Sequence, residues 1–255
     1  MTWPRPSAER IGVYYRSDNY LSHNAQGKGL LPALYKRARQ LALRKKYRLV
    51  ATHHTSGQLL DLGCGTGEFL AFMRRRGFLV SGVEPSELAR TFAGEQHQLA
   101  VKPALADIPA REQFDVITLW HVLEHLPDLR ATLKRIYASQ VIGGQLIIAV
   151  PDRESWDADH YGSLWAAYDV PRHFWHFRRT DIELLLREHG YTLKRTLTLP
   201  MDGFYIALLS EQYRGRGTLA SLVLGALKGS WSAMLALFGK RPGSTSVFVA
   251  IKEKV

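Results

Sequence analysis

The segment QLLDLGCGTGEFL, residues 58–70, constrains this chain more than any other. A short apolar run ends at Leu62, glycines follow at every second position (Gly63, Gly65, Gly67), and a helical apolar pattern begins at once. A chain that leaves a buried strand and enters a helix leaves the first backbone N–H groups of that helix unpaired. Glycine lets the turn adopt positive φ and lets a ligand approach the backbone. The Gly-x-Gly-x-Gly spacing differs from the dinucleotide fingerprint, whose third glycine falls one position later. Asp61, just ahead of the turn, would repel a pyrophosphate but suits a ligand carrying an ammonium group. Cys64, inside the turn, reads as a small buried filler.

The next segments repeat the strand–turn–helix order. FLVSGVEPSELARTFAG reads as a strand to Glu84, a turn at Pro85 and a helix to Gly94. LAVKPALAD is a weaker strand ending near Asp107, and FDVITLWHVLEHL a strand running into a helix or turn. GGQLIIAVP has the near-continuous apolar core of a strand buried on both faces. DIELLLREHG predicts a helix capped by Thr180 or Asp181, and YTLKRTLTLP and STSVFVAIKEKV read as terminal strands. This alternation predicts a single α/β domain, a mostly parallel doubly wound sheet with helices on both faces. With 255 residues and 46% apolar composition the chain can bury its own core. Its one cysteine excludes a disulfide framework and a CxxC zinc site.

Three acids stand at successive strand ends: Asp61, Glu84 and Asp107. That is where open α/β sheets bind ligands. Glu84, 17 residues beyond Gly67, is placed to accept hydrogen bonds from ribose hydroxyls, and Asp107 to meet an adenine amino group. The pieces LLDLGCGTGEFL, VSGVEPSE, ALADIP, FDVITLWHVLEHLPDL and GGQLIIAVPD, in this order, resemble the class I S-adenosylmethionine-dependent methyltransferases, in particular bacterial small-molecule enzymes such as quinone and polyketide O-methyltransferases. The resemblance spans roughly residues 55–152. It implies a Rossmann-like seven-stranded sheet with the last strand antiparallel, S-adenosylmethionine as cofactor and S-adenosylhomocysteine as product. It also implies roles: Asp61 and the turn Gly63, Cys64, Gly65, Gly67 for the amino-acid part of the cofactor, Glu84 and Pro85 for the ribose, Asp107 and Ile108 for the adenine, and Trp120 and His121 closing over it. On this division residues 1–57 are an N-terminal cap, 58–152 the cofactor-binding core, 153–178 an acceptor loop, and 202–242 a helical insertion before the last strand.

Methyl transfer is a displacement at the carbon of a sulfonium, so the protein mainly supplies alignment. An oxygen acceptor also needs a proton removed by a base of near-neutral pKa, which suits histidine. His121, His125, His160, His173 and His176 are the candidates. His173, in DVPRHFWHF, is favoured and His125 is second. Arg172 and Trp175 beside it, and Tyr14, Tyr20 and His23 in the aromatic N-terminal segment, are candidate acceptor contacts. His121, Glu124 and His125, sharing a face if helical, could join His173 around a divalent cation. Some related RNA 3′-end and quinone methyltransferases carry metal-binding Glu and His here, with an acid where this chain has His121. The expectation is nonetheless an enzyme without metal.

Net charge is +11, from 34 Lys and Arg against 23 Asp and Glu. Seven of the cations (Lys36, Arg37, Arg39, Arg44, Lys45, Lys46, Arg48) fall opposite an apolar stripe of Leu31, Leu34, Tyr35, Ala38, Leu41 and Ala42 on a predicted helix over Leu30–Val50. No nucleic-acid-binding module accompanies them, so a small-molecule acceptor is expected rather than RNA. A second apolar stripe runs through Leu219, Leu222, Val223, Ala226, Leu227, Trp231, Met234, Leu235 and Phe238, with Ser221, Lys228 and Ser232 opposite. It reads as a helix packed over the core, with a transient membrane-surface contact or a homodimer contact as alternatives. MTWPRPSAER lacks the apolar stretch of a secretory signal, which places the chain in the cytoplasm. Two other functions compete with a methyltransferase: a non-catalytic S-adenosylmethionine sensor or partner subunit, and, more distantly, a nucleotide-dependent oxidoreductase.

Overall fold

A computed structural model describes residues 1–7, 10, 11, 14 and 30–254, the side chains of 30–35 excepted. Among these residues eight helices and seven strands follow one another: α1 Leu30–Val50, β1 Gly57–Leu62, α2 Glu68–Arg74, β2 Phe78–Val83, α3 Glu87–His97, β3 Val101–Lys102, β4 Phe114–Trp120, α4 Leu129–Ala138, β5 Gln140–Pro151, α5 Trp156–Tyr161, α6 Arg179–Glu188, β6 Tyr191–Thr198, α7 Asp202–Tyr213, α8 Thr218–Leu237 and β7 Thr245–Lys252. The strands form one mixed sheet in the order β3-β2-β1-β4-β5-β7-β6, the terminal pairing antiparallel. This is the expected Rossmann-like fold. By contacts the chain divides into two compact units. One is Ala8–Trp120, Lys134–Ile147 and Ile251–Val255; the other is Met1–Ser7, His121–Leu133 and Ile148–Ala250.

In the first unit β1 is central, pairing in parallel with β2 and with β4. Leu59, Leu60, Asp61 and Leu62 are all buried, as a strand covered on both faces requires. Every residue of α2 from Phe69 to Met73 is buried as well. Ser86 caps α3, its Oγ accepting the Ala89 N–H, and the helix runs three residues past the expected Gly94. The third strand is two residues long. Asp107 therefore lies beyond it, in a 3₁₀ turn over Leu105–Asp107.

The helix α1 has the expected bounds but a different buried face. Leu41 and Ala42 are exposed, whereas Leu43 and Val50 are buried. Two of the seven cations turn inward with that face: Arg39 pairs with Glu68, and Lys46 lies 4.4 Å above the Trp120 ring. Long cationic side chains can cover apolar surface with their stems, so the basic stripe is narrower than its spacing implies. At its C-terminal end the Gln145 Nε2 donates to Leu49 O at 3.1 Å.

In the second unit, the core cluster joins Ala158, Tyr161, Trp165, Ala166 and Ala167 to Ile206 and Ala207 of α7. The N-cap of α6 is Arg178 rather than Thr180 or Asp181; Asp181 serves instead by accepting the Arg178 N–H at 2.9 Å. Residues 202–242 hold two helices, α7 and α8, packed as a hairpin. The face of α8 is the reverse of the expected one. Ser221, Gly225, Gly229 and Ser232 are buried, while Leu219, Leu222, Val223, Leu227, Trp231 and Phe238 are exposed. Backbone proximity explains the inversion. A Cβ at Gly225 would stand 2.8 Å from Leu208 Cα, and one at Gly229 2.8 Å from Phe204 Cα. Only small residues admit that approach to α7. The polar groups drawn inward are satisfied there: Lys228 Nζ donates to Glu211 at 2.6 Å and Ser232 Oγ to Asp157 at 2.9 Å.

Candidate functional site

At the C-terminal end of β1 in the first unit, Gly63, Gly65 and Gly67 all take left-handed backbone angles, φ 67°, 55° and 78°. Gly67 must also be small, because a Cβ there would meet Leu99 Cδ1 at 2.7 Å. At Gly65 nothing lies within 4 Å of such an atom, so the backbone is open to a ligand. Buried Glu84 stitches this turn to the next one. Its Oε2 accepts the Gly65 N–H at 3.0 Å and its Oε1 the Ser86 N–H at 2.9 Å, and each oxygen retains a lone pair for a further donor.

Asp61 is 2% exposed and accepts a hydrogen bond from Thr118 Oγ1 at 2.5 Å. Burial pushes its carboxyl up to about 7 against the opposing pull of Thr118 and Lys46, with Glu84 adding to the rise. A carboxyl in that state accepts a cationic ligand readily, because the ammonium repays the desolvation. Cys64 is buried, and burial followed by the charges of Asp61 and Glu84 drives its thiol far up, so it is no nucleophile. Asp107 is exposed, with Oδ2 accepting the Ala104 N–H at 2.9 Å, and Ile108 beside it is buried. Trp120 packs edge-on against Phe69 at 5.7 Å, and its buried indole N–H has no hydrogen-bond partner among the described residues. The motifs do not mark Thr118 or Lys46 as site residues. Thr118 shares its strand face with Val116 and Trp120 in FDVITLW, and only its pairing opposite Asp61 reveals the contact.

The second unit holds the histidines. His121 sits at φ 58° just past β4, with Nε2 3.1 Å from Asp202 and Nδ1 3.4 Å from Glu124. Burial disfavours its charge, but hydrogen bonds to both acids prevail and raise it well above the ordinary histidine range. His121 is thus a cation between two carboxylates. Residues Leu123–His125 form a single 3₁₀ turn, so His121, Glu124 and His125 share no α-helical face. Instead, Glu124, His125 and His173 converge: one ligand atom from each lies within 4.8 Å of the others. The His125 and His173 rings meet edge-on, centroids 4.5 Å apart. His125 Nδ1 faces Arg172 O at 3.1 Å and His173 Nδ1 faces Ala167 O at 2.9 Å, which makes both Nδ1 atoms donors and leaves both Nε2 atoms with a lone pair. Burial lowers His125 to about 4. Glu124, although fully buried, is held below the usual glutamate range by His121, and neither of its oxygens has a well-aligned hydrogen bond among the described residues. Two imidazoles and an ionised carboxylate form a donor set suited to a first-row divalent cation, with His121 outside it.

The remaining candidates have these partners. Arg172 donates its guanidinium N–H groups to Asp169 Oδ1, at 3.0 and 2.7 Å. Trp175 donates its indole N–H to Leu126 O at 2.7 Å and lies under Arg5. His160 stacks on Trp156 and meets Arg214. His176 meets Thr2 Oγ1 at 3.0 Å, and burial lowers it to about 4. Thr2 also donates to His173 O at 2.6 Å, a strap with no signal in the sequence. Tyr14 is half-exposed; Tyr20 and His23 lie outside the described residues.

Comparison with known proteins decides the family. A model described as a methyltransferase domain matches residues 34–196. The chain belongs to the class I S-adenosylmethionine-dependent methyltransferases. A ubiquinone biosynthesis O-methyltransferase from Bradyrhizobium diazoefficiens is 32% identical over 139 residues, 51% of this chain and 54% of that protein. One from Aeromonas salmonicida is 34% identical over 106 residues, 38% and 44%. The chain thus spans about half the length of the curated relatives it matches. Among solved structures, the magnesium protoporphyrin IX methyltransferase of Synechocystis PCC 6803 with bound S-adenosylhomocysteine aligns with a TM-score of 0.61 at 15% identity, over 96% of this chain and all of that one. A methyltransferase from Thermotoga maritima, described as a possible histamine N-methyltransferase, aligns with a TM-score of 0.57 at 20% identity, over 87% and 95%. At these identities the likeness is one of fold.

Proposed function

We propose that this methyltransferase acts on an oxygen of a small apolar acceptor of quinone, natural-product or lipid-like type, with His173 as general base. The observation that carries the reading is the His173 ring: Nδ1–H donates to Ala167 O, so the buried Nε2 keeps its lone pair, 3.6 Å from Asp169 Oδ2. In the reaction the acceptor oxygen attacks the methyl carbon, the carbon–sulfur bond breaks toward sulfur, and S-adenosylhomocysteine leaves as a neutral thioether. The acceptor's proton passes to His173 Nε2, where the Asp169 carboxylate stabilises the imidazolium. In the other unit, Asp61 would hold the cofactor's ammonium, Glu84 its ribose hydroxyls and Asp107 with Ile108 its adenine. The matched relatives are named ubiquinone biosynthesis O-methyltransferases, which favours an oxygen acceptor.

The test is formation of S-adenosylhomocysteine with a panel of catechols and hydroxyquinols, with and without an isoprenoid tail. His173→Ala is expected to lower kcat by about 10²–10⁴-fold with cofactor affinity unchanged. Full activity in that variant would remove the base. Intact cofactor binding with no turnover across the panel would favour a sensor.

The convergence of Glu124, His125 and His173 supports a second reading, in which a divalent cation on these residues polarises the acceptor oxygen. Bound metal measured on the purified protein, and its loss in Glu124→Gln, would distinguish this from metal-free catalysis. Unchanged turnover in the presence of a chelator would exclude it.

A further inference from the structure

The apolar stripe of α8 faces outward, and we propose that it docks on the surface of a bilayer containing anionic lipid. The helix is 20 residues long, so its ridge runs about 30 Å. Leu219, Leu227, Leu237 and Phe238 are between 63% and 80% exposed, and Leu222, Val223 and Trp231 about half. Singly exposed apolar residues are ordinary; a continuous ridge of seven on one helix marks a contact surface.

The opposite face shows that the helix lies on a membrane rather than crossing it, although it is long and apolar enough to cross. That face is joined to α7 through Gly225 and Gly229, and it carries Lys228 paired with buried Glu211 and Ser232 bonded to Asp157. Only one side of α8 is free to meet hydrocarbon, the geometry of an interfacial helix.

Charge complementarity selects lipid over a second copy of the chain. No acid occurs in α8, and cations bracket it: Arg214 and Arg216 before, Lys240 and Arg241 after. Arg214 and Arg216 share one acid, Glu211, and Arg241 holds Asp159, while Lys240 is exposed with no ion pair among the described residues. At the C-terminal end of α8 a cleft of about 390 Å³ is lined by Leu197, Ala233, Leu237 and Pro242 together with Lys240, while Arg179 and Arg241 on its wall are paired with Asp152 and Asp159. Two copies paired antiparallel through this ridge would bring cationic ends together at both extremities, whereas an anionic surface satisfies the ridge and its ends at once.

The experiment is vesicle sedimentation of the full chain, with phosphatidylglycerol in phosphatidylcholine against phosphatidylcholine alone, alongside light scattering. The expected result is binding to anionic vesicles that is about tenfold stronger than to neutral ones and weakens with salt. Leu222→Glu combined with Leu227→Glu is expected to lower binding at least about tenfold with an unchanged thermal midpoint. Lys240→Glu is expected to weaken binding to anionic vesicles alone. Equal binding by the double variant and the parent, or no vesicle binding by a dimer that the double variant dissociates, would overturn the proposal. The second result would assign the ridge to self-association.

Discussion

Thr118 and Asp61 stand directly opposite one another on the parallel strands β4 and β1, and the Thr118 hydroxyl donates to Asp61 Oδ1 at 2.5 Å. This buried polar tie joins the two central strands, and it aims the carboxylate that we propose holds the cofactor's ammonium. A hydrogen bond to a charged acceptor contributes about 1.5–3 kcal/mol. Thr118→Val, which keeps the shape and removes the donor, is therefore expected to weaken S-adenosylmethionine binding about tenfold or more. Titration calorimetry at pH 8 would show it.

On the proposed reading, Asp61 also makes cofactor binding depend on pH. Its folded-state carboxyl titrates near 7 rather than 3.8 because burial outweighs the help of Thr118 and Lys46. The folded protein holds that proton more tightly than the unfolded chain. The associated stability is fully present below pH 3.8 and is lost as pH rises through about 7. Cofactor binding runs the other way, since the ammonium needs the carboxylate, so affinity should fall about tenfold per unit below pH 7. Asp61→Asn is expected to stabilise the ligand-free protein at pH 8 by a few kcal/mol, on the order of the lost desolvation. The same change should abolish the pH dependence and most of the affinity. Lys46→Met should move the midpoint of the affinity profile upward.

Glu84 accepts two backbone N–H groups, from Gly65 and Ser86, before any ligand arrives. Glu84→Ala removes the acceptor of both part-buried donors, at about 0.5–1.5 kcal/mol each because water can reach them. Lower thermal stability should accompany a loss of cofactor affinity. Affinity that survives the substitution would show that the ribose does not sit on this side chain.

Gly229 sits against the backbone of Phe204, which has no room to yield. Gly229→Leu should force α8 away from α7 and cost about 1–3 kcal/mol in urea unfolding. An equal change at exposed Ser230 should cost almost nothing.

Cys64 is buried, and its thiol is held far above its usual range. Iodoacetamide should label it only on unfolding, and Cys64→Ala should retain activity, as mass spectrometry and a turnover assay would show.

The glycine turn, the strand–helix alternation and the acids at strand ends are legible because they are local. A left-handed turn demands glycine, a doubly covered strand demands an apolar run, and both leave their mark within ten residues. The glycine turn and the buried acids beside it are therefore readable in the sequence, whereas the contacts of Thr118 and Lys46 with Asp61 depend on pairing across strands and on the direction of a helix face. Tertiary structure alone decided the histidine cluster. Glu124 and His125 lie some fifty residues from His173, and the spacing that suggests a shared helical face belongs to a single 3₁₀ turn. It also decided the orientation of α8. An apolar stripe shows that a helix has two unlike faces, and burial normally claims the larger side chains. Here the inward place goes to Gly225 and Gly229 because the α7 backbone comes too close for anything larger, and that distance is written in the packing, not in the sequence of either helix.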